Sequence, residues 1–237
     1  MKKTVYKAGE LEIFKADGGD LPAVSAFLNE GRNALRRIEF FYPYTEEELK
    51  SVLENGCFLC AADGDRIAGT FALDTDEKYG AQLAERIAEC TKGRIAPRFA
   101  FETSGLMVAE KYRRRGIAGA LADAVVAEAQ KRVRGHYLCG VVQAENTASI
   151  SVFFSRGFVL AGVYSMGGEY DFVYLTRPAS AGFDLRAQVK ARVPFRDVEG
   201  HCARLADGLV GTGIREGEIE YSDFEEIYSN YSSCNLS

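Results

Sequence analysis

The sequence has no long apolar run and few residues that bind metal ions. Each apolar run falls well short of the roughly 20 residues that a membrane-spanning helix needs. There are two histidines, and Cys57 and Cys60 form a single C-x-x-C pair, with no second pair to complete a zinc site. Cys57 and Cys60 also lie in a predicted strand, where residues three positions apart face opposite sides and cannot bind one ion together. We therefore expect no membrane span, no metal centre, and cysteines that are buried and reduced.

An excess of positive charge is also absent. The net charge is −5 over 237 residues, and the basic residues are concentrated locally, which argues against a general nucleic-acid binder. The N-terminal lysines are followed by Glu10, Glu12 and Lys15 where a secretory leader has its apolar segment, so we expect a cytoplasmic protein. A chain of this length can bury one core, or one core with a small appendage.

A small-residue turn lies between a predicted strand and a predicted helix. The apolar run 106–108 precedes three arginines and Gly116, and helical spacing of apolar residues follows. The first N–H groups of a helix lack partners within it, and their partial positive charge attracts anions. Gly116, Ala118 and Gly119 let an anion approach the main chain, and the arginines raise the local potential. The turn therefore predicts a phosphate-binding site.

Two patterns in the sequence resemble those of one enzyme family. The turn has neither the G-x-G-x-x-G spacing of dinucleotide-binding folds nor the Gly-Lys-Ser/Thr of a P-loop. Arg113-x-x-Gly116-x-Ala118 instead resembles the Q/R-x-x-G-x-G/A motif of the GNAT superfamily of acyl-CoA-dependent N-acyltransferases. The segment from Asn146 to Phe158 is similar to that family's N-x-x-A-x-x-L-Y-x-x-x-G-F segment, with the same spacing. The resemblance covers roughly residues 10–177.

The resemblance implies an α/β fold, with a mixed, twisted sheet flanked by helices, and the use of acetyl-CoA. In the family the turn binds the pyrophosphate of coenzyme A, the preceding strand pairs with the pantetheine arm, and an Asn bonds the pantetheine amide. Asn146 is also fully explained as a helix N-cap. The implied coenzyme-binding residues are Leu106, Met107, Val108, Arg113, Arg114, Arg115, Gly116, Ile117, Ala118, Gly119, Ala120, Asn146 and Phe153.

The proton transfers of the implied reaction concern two positions, Phe153 and Glu102. Many family members have a Tyr at the position of Phe153 that protonates the leaving thiolate. A phenyl ring cannot donate, so water, the helix terminus or another group must act, or catalysis is weak. Some members carry a general-base Glu where this chain has Glu102, and burial on a strand would raise its pKa toward neutrality. Two alternatives stay open: Glu102 pairs with Arg98 or a fifth-strand neighbour, or water removes the proton of the amine.

Capping residues and periodicity predict three helices in the first half of the chain. One begins after Asp20, with Pro22 in its first turn, and a second follows the capping box Thr45-Glu46-Glu47-Glu48 and ends at Asn55. Residues 76–92, with Tyr79, Leu83 and Ile87 four apart on one face, predict a helix that the family usually lacks, either a lid over the acceptor side or surface decoration. The predicted strands are 11–14, 57–62, 67–73, 99–108, 137–142, 158–164 and 169–176.

An aromatic loop at 36–44 separates the first two helices. It either packs under them or lines a pocket, and in the family the corresponding loop borders the acceptor site.

The last sixty residues lie beyond the resemblance. We predict an acetyltransferase domain over 1–178 and a small βαβ-like C-terminal extension over 179–237. Alternation from Leu185 to Phe195 predicts a strand with one buried face, and Glu218–Tyr221 a closing strand. Between them, Val198, Cys202, Leu205 and Leu209 form a helical stripe. So small a segment cannot readily bury its own core, so it packs on the domain or on a second subunit, forming a homodimer.

The sequence therefore predicts an N-acetyltransferase that moves an acetyl group from acetyl-CoA to a primary amine of a small molecule or of a protein or peptide. The alternative is an acyl-CoA-binding sensor or interaction protein that does not turn over, supported by the missing Tyr and the added extension.

Overall fold

The computed structural model describes residues 4–8, 10–132, 136–165 and 171–228. It divides into two compact units, one formed by Met1–Asp76 and Glu102–Arg132 and the other by Glu77–Phe101 and Val133–Ser237. The strands are β1 (Thr4–Ala8), β2 (Leu11–Ala16), β3 (Cys57–Asp63), β4 (Arg66–Leu73), β5 (Ala100–Val108), β6 (Tyr137–Gln143), β7 (Val159–Ser165), β8 (Asp171–Pro178), β9 (Val189–Pro194), β10 (Leu209–Arg215) and β11 (Glu218–Asp223). The helices are α1 (Leu21–Asn33), α2 (Glu46–Asn55), α3 (Glu77–Cys90), α4 (Ile117–Gln130), α5 (Thr147–Phe154) and α6 (Val198–Ala206).

The first unit is an antiparallel sheet covered by three helices. Its strands run in the order β1-β2-β3-β4-β5, with α4 packed on β3 and β4, α2 on β3, and α1 on α2. The capping box of α2 is confirmed, since Thr45 Oγ1 accepts from the Glu48 N–H and the Glu48 carboxylate accepts from the Thr45 N–H. The core includes Val24, Leu28, Phe41, Leu49, Val52, Leu53, Phe58, Cys60, Ala72 and Met107.

The second unit holds the rest of the family domain together with the described part of the extension. Its strands follow the order β6-β8-β7-β10-β11-β9, so the extension adds three strands beside β7. Helix α3 packs on β7, α5 on β6 and β10, and α6 on β7, β9 and β10. The predicted α/β class is confirmed. The domain boundary at 178 stays a prediction.

Several local predictions are wrong in detail. Strand β1 was not predicted. In α3 the buried face includes Gly80, Leu83 and Ile87, whereas Tyr79 is exposed. The reason is close packing at Gly80, where an added Cβ would lie 3.1 Å from the Ala100 carbonyl oxygen, so the small residue and not the aromatic one faces the sheet.

The extension also differs from its predicted pattern. Strand β9 begins only at Val189, which is exposed, and on that strand only Val193 is buried, because an edge strand has a neighbour on one side only. In α6 the buried positions are His201 and Leu205, while Cys202 is exposed. The predicted buried face of α6 is wrong at Cys202 because the polar residue His201 has hydrogen-bond partners in the interior and is buried instead.

The expectation that the cysteines are buried holds for only part of the described ranges, because Cys139 is buried whereas Cys90 is half-buried and Cys202 is exposed. Cys57 and Cys60 are buried free thiols on β3. Within those ranges, no group of His, Cys, Asp and Glu side chains is arranged to hold a metal ion. None of the helices there has both the length and the apolar character to cross a membrane.

Candidate active site

The turn before α4 presents backbone N–H groups that no side chain caps. Gly116 is the N-cap residue, in left-handed conformation with φ +78°, and its carbonyl accepts from the Ala120 N–H at 3.0 Å. A Cβ added at Gly116 would meet no atom within 4 Å, so this side of the turn is open. An uncapped helix N-terminus with an open approach is suited to an anion.

The arginines of the turn take different positions. Arg113 Nε donates to the Val108 carbonyl at 3.1 Å and so links the turn to the end of β5. The Arg115 guanidinium lies 5.7 Å from the centre of the Tyr112 ring. Arg114, with φ +60°, is exposed. The cationic character predicted for the turn is therefore present at its surface.

Strand β5 carries a bulge at the start of the segment for which coenzyme binding is predicted. Thr70 pairs with Met107 and Ala72 with Ser104, so Gly105 and Leu106 together oppose one residue of β4. Gly105 has φ +66°, and its carbonyl accepts from Thr70 Oγ1 at 2.8 Å. A Cβ at Gly105 would lie 2.8 Å from the Tyr44 hydroxyl, so glycine is required there. Such a bulge changes the direction of Leu106, which is part of it, and of Met107 and Val108, which follow it.

Glu102 lies on β5 in an acidic environment. Its carbonyl accepts from the Asp74 N–H at 2.8 Å, which places the end of β4 beside it. Burial, and then repulsion from Asp74 and Glu48, raise the pKa of Glu102 to about 7. Among the described residues no cation forms an ion pair with Glu102, and Arg98 instead lies over the Phe99 ring. These contacts favour the general-base hypothesis over the buried ion pair.

The neighbouring carboxylates have structural partners of their own. Asp74 Oδ1 accepts from the Asp76 N–H at 3.0 Å, and Glu48 Oε2 accepts from the Thr45 N–H at 2.7 Å. They therefore raise the pKa of Glu102 from positions that local hydrogen bonds fix.

Tyr44 joins the aromatic loop to β5. Its hydroxyl donates to Ser104 Oγ at 2.6 Å, and its ring meets Phe58 edge-on at 6.3 Å. Burial and the nearby carboxylates raise the pKa of Tyr44, so it stays protonated. Phe41 is in the core while Tyr42 is 79% exposed, so the loop packs inward at Phe41, and its place beside a pocket stays a prediction.

Sequence reasoning did not assign roles to Tyr44, Ser104, Asp74 or Glu48. Alternation placed Ser104 on the face of Glu102, and the capping box located Glu48 at a helix start. No pattern in the sequence indicated that Tyr44 or Asp74 would approach β5, because their separation along the chain is closed only by folding.

Asn146 and Phe153 belong to the second unit, whereas Glu102, the bulge and the turn belong to the first. Asn146 Oδ1 accepts from the Ser149 N–H at 3.2 Å, so its role as N-cap of α5 is confirmed. Phe153 is buried, with its ring against Gly140 and edge-on to Phe158 at 4.9 Å. Its ring therefore occupies space that a Cβ at position 140 would need.

The two histidines have structural surroundings. The His136 ring stacks on Phe101 at 4.6 Å, and Phe99 lies 5.4 Å away. His201 is buried, with Nδ1 2.7 Å from the Tyr221 hydroxyl and Nε2 3.3 Å from the Phe195 carbonyl oxygen.

Comparison with known proteins bears on the fold and the family. The family described as "Acetyltransferase (GNAT) family" matches residues 27–158. No curated protein sequence matches the chain. Structures with the same fold include a ribosomal-protein-alanine N-acetyltransferase from Brucella melitensis, with 22% identity over 70% of this chain and 98% of that one and a TM-score of 0.52.

Two further solved structures extend the comparison. YncA from Salmonella typhimurium, a putative acetyltransferase solved with acetyl-CoA, is 15% identical over 72% of this chain and 95% of its own, with a TM-score of 0.53. Arabidopsis thaliana NAA60 in complex with a bisubstrate analogue is 17% identical over 71% and 97%, with a TM-score of 0.54. At these identities the structures establish the shared fold, and the family match over more than half of the sequence establishes membership. The chain therefore belongs to the GNAT family of acetyltransferases.

Proposed function

We propose that this protein transfers an acetyl group from acetyl-CoA to a primary amine. The observation that carries the proposal is the open, uncapped N-terminus of α4, which stands at the family's phosphate-binding motif behind exposed arginines. The backbone N–H groups there carry partial positive charge and can donate hydrogen bonds to the negatively charged oxygens of a pyrophosphate.

The remaining coenzyme ligands follow from the family motifs. Leu106 is part of a bulge that Met107 and Val108 follow, and this suits a backbone that pairs with the amides of pantetheine. Asn146 uses its Oδ1 as a cap, and the amide nitrogen is the group that a pantetheine carbonyl requires. We assign the turn, this strand segment and Asn146 to coenzyme binding.

Glu102 is the proposed general base. An amine acceptor arrives protonated at neutral pH, and the carboxylates of Glu102, Asp74 and Glu48 make the surroundings attractive to a cation. A carboxylate with a pKa of about 7 can take that proton near neutrality. The neutral nitrogen then bonds to the acetyl carbonyl carbon and the carbon–sulfur bond breaks. The nitrogen loses its second proton to give the amide, and coenzyme A leaves as a thiolate that gains one proton.

Whether the leaving thiolate gains a proton distinguishes acetyl transfer from a second candidate function. Phe153 has no proton to donate, and it is packed against Phe158 and Gly140. If water does not supply the proton, the protein binds acyl-CoA without turnover, as a sensor.

Two measurements on the purified protein distinguish these functions. Acetyl-CoA should raise the melting temperature. Thiol release should follow when polyamines, amino sugars, lysine or peptide N-termini are supplied in turn. A thermal shift without thiol release from any of these amines would favour the sensor. If acetyl-CoA produces no thermal shift, the coenzyme assignment itself is wrong.

A further inference from the structure

A bidentate ion pair joins the C-terminal extension to the loop that leads into α5. Arg196 Nε lies 2.8 Å from Glu145 Oε1, and Arg196 Nη2 lies 2.7 Å from Glu145 Oε2. Both residues belong to the second unit. Two parallel donors on one carboxylate fix orientation as well as distance.

Each partner directly precedes the N-cap residue of a helix. Glu145 is followed by Asn146, which caps α5. Arg196 is followed by Asp197, whose carboxylate accepts from the Gly200 N–H at 2.8 Å and caps α6. The ion pair therefore ties the start of α6, in the extension, to the start of α5, in the family domain.

The same loop is also fixed from its β6 end. The Gln143 side chain is buried and accepts from the Glu145 N–H at 2.9 Å, and the Gln143 carbonyl accepts from the Asn146 N–H at 2.9 Å. Arg196 supplies the restraint from the other side of the loop. Asn146 is thereby held between the end of β6, through Gln143, and the start of α6, through the Arg196–Glu145 ion pair.

We propose that the extension positions the coenzyme site, with Arg196 acting through Glu145 to hold the Asn146 amide where pantetheine meets it. This inference rests on the proposed use of acetyl-CoA. Arg196 is a positioning residue and does not touch the coenzyme. It lies outside the family match at residues 27–158, so the device belongs to this chain's added segment.

Two ligands separate positioning of Asn146 from a general structural role. Acetyl-CoA carries pantetheine, whereas 3′-phosphoadenosine 5′-diphosphate has the nucleotide and the pyrophosphate without it. Arg196→Ala should weaken acetyl-CoA binding about three- to five-fold in calorimetry, the range expected when an exposed ion pair is lost. Binding of 3′-phosphoadenosine 5′-diphosphate should not change. Glu145→Gln, which keeps the shape of the side chain, should reproduce both results.

The extension offers a matched control. Arg192 also places Nε and Nη2 on a carboxylate oxygen, that of Glu220 on β11, at 3.1 and 3.0 Å. Arg192→Ala removes a comparable surface ion pair and should leave the affinity for both ligands unchanged. In an Asn146→Ala background, Arg196→Ala should cause no additional loss, because the residue through which it acts is already absent.

Four results would overturn the inference. They are an Arg196→Ala variant that binds acetyl-CoA as wild type does, an equal loss for both ligands, the same loss in Arg192→Ala, or additivity with Asn146→Ala. The proposed function fails separately. If the wild-type protein binds acetyl-CoA without releasing thiol, only acetyl transfer is overturned; if it does not bind acetyl-CoA, both ideas are overturned.

Discussion

The Asp74 N–H donates to the Glu102 carbonyl at 2.8 Å, so these two acidic residues are neighbours across the backbone of the first unit. Repulsion between them adds to burial in raising the pKa of Glu102 to about 7. A carboxyl group that titrates near neutrality is suited to accept the proton of an amine. Its pKa also allows the role of Glu102 to be tested through the pH dependence of turnover and of stability.

Glu102→Gln should lower turnover by roughly 10²-fold or more while leaving acetyl-CoA affinity unchanged. The wild-type pH–rate profile should fall on the acidic side near pH 7, where Glu102 becomes protonated, and the variant should lack this limb. A Gln variant that keeps both its turnover and its acidic limb would show that Glu102 is not the base and would favour water.

The same variant should change stability in a direction that excludes an ion pair. The pKa of Glu102 in the folded protein, about 7, exceeds the ordinary value of 4.5, so ionisation destabilises the folded state as pH rises through that interval. Glu102→Gln should therefore be more stable than wild type at pH 8, by roughly 1–3 kcal/mol given its partial exposure. Denaturant unfolding at pH 5 and pH 8 measures the difference. A loss of several kcal/mol at pH 8 would instead indicate a broken ion pair.

Asp74→Asn should move the acidic limb to lower pH. Asn keeps an oxygen that accepts from the Asp76 N–H but removes the charge that repels the Glu102 carboxylate. Because burial is the larger cause of the raised pKa, the limb should stay above pH 4.5. Asp65→Asn, in the β3–β4 turn, is the control and should leave the profile unchanged. A limb that Asp74→Asn does not move would mean that another group titrates.

Gly116→Val should abolish the thermal shift by acetyl-CoA, because its side chain would project into the open approach to the α4 N–H groups. The positive φ costs stability in any case, on the order of 1–2 kcal/mol. Gly93→Val is the matched control, since Gly93 has φ +76° and also has no atom within 4 Å of an added Cβ. The control should lose similar stability and keep the shift. If both variants fold and both respond to acetyl-CoA, the phosphate assignment fails.

Phe153→Tyr should leave acetyl-CoA affinity unchanged and raise turnover, because it returns a proton donor to the family's position. Phe153 is buried, so the new hydroxyl should also cost about 1–2 kcal/mol of stability. Phe158→Tyr adds a hydroxyl to the other ring of the same edge-on pair and controls for this cost. Thiol release and thermal melting are measured for both variants. Turnover that falls in a folded Phe153→Tyr protein would count against a missing donor at this position.

Local sequence signals decided much of the fold and the backbone conformation of the turn before α4. The capping box of α2, the N-cap Asn146 and the turn at Gly116 depend on hydrogen bonds and backbone angles within a few residues, and all three are found where the sequence places them. The spacing of the two family motifs is likewise a property of the sequence alone, and it was sufficient to identify the family.

Tertiary structure decided the surroundings of the candidate site. The pKa of Glu102 depends on Asp74 and Glu48, Tyr44 reaches Ser104 across sixty positions, and Arg196 meets Glu145 across 51. No periodic pattern in the sequence indicates these three contacts, because each joins residues that are far apart along the chain and meet only after folding. The sequence by itself determined the motifs from which coenzyme binding is proposed, and only folding decided which side chains surround Glu102 and raise its pKa.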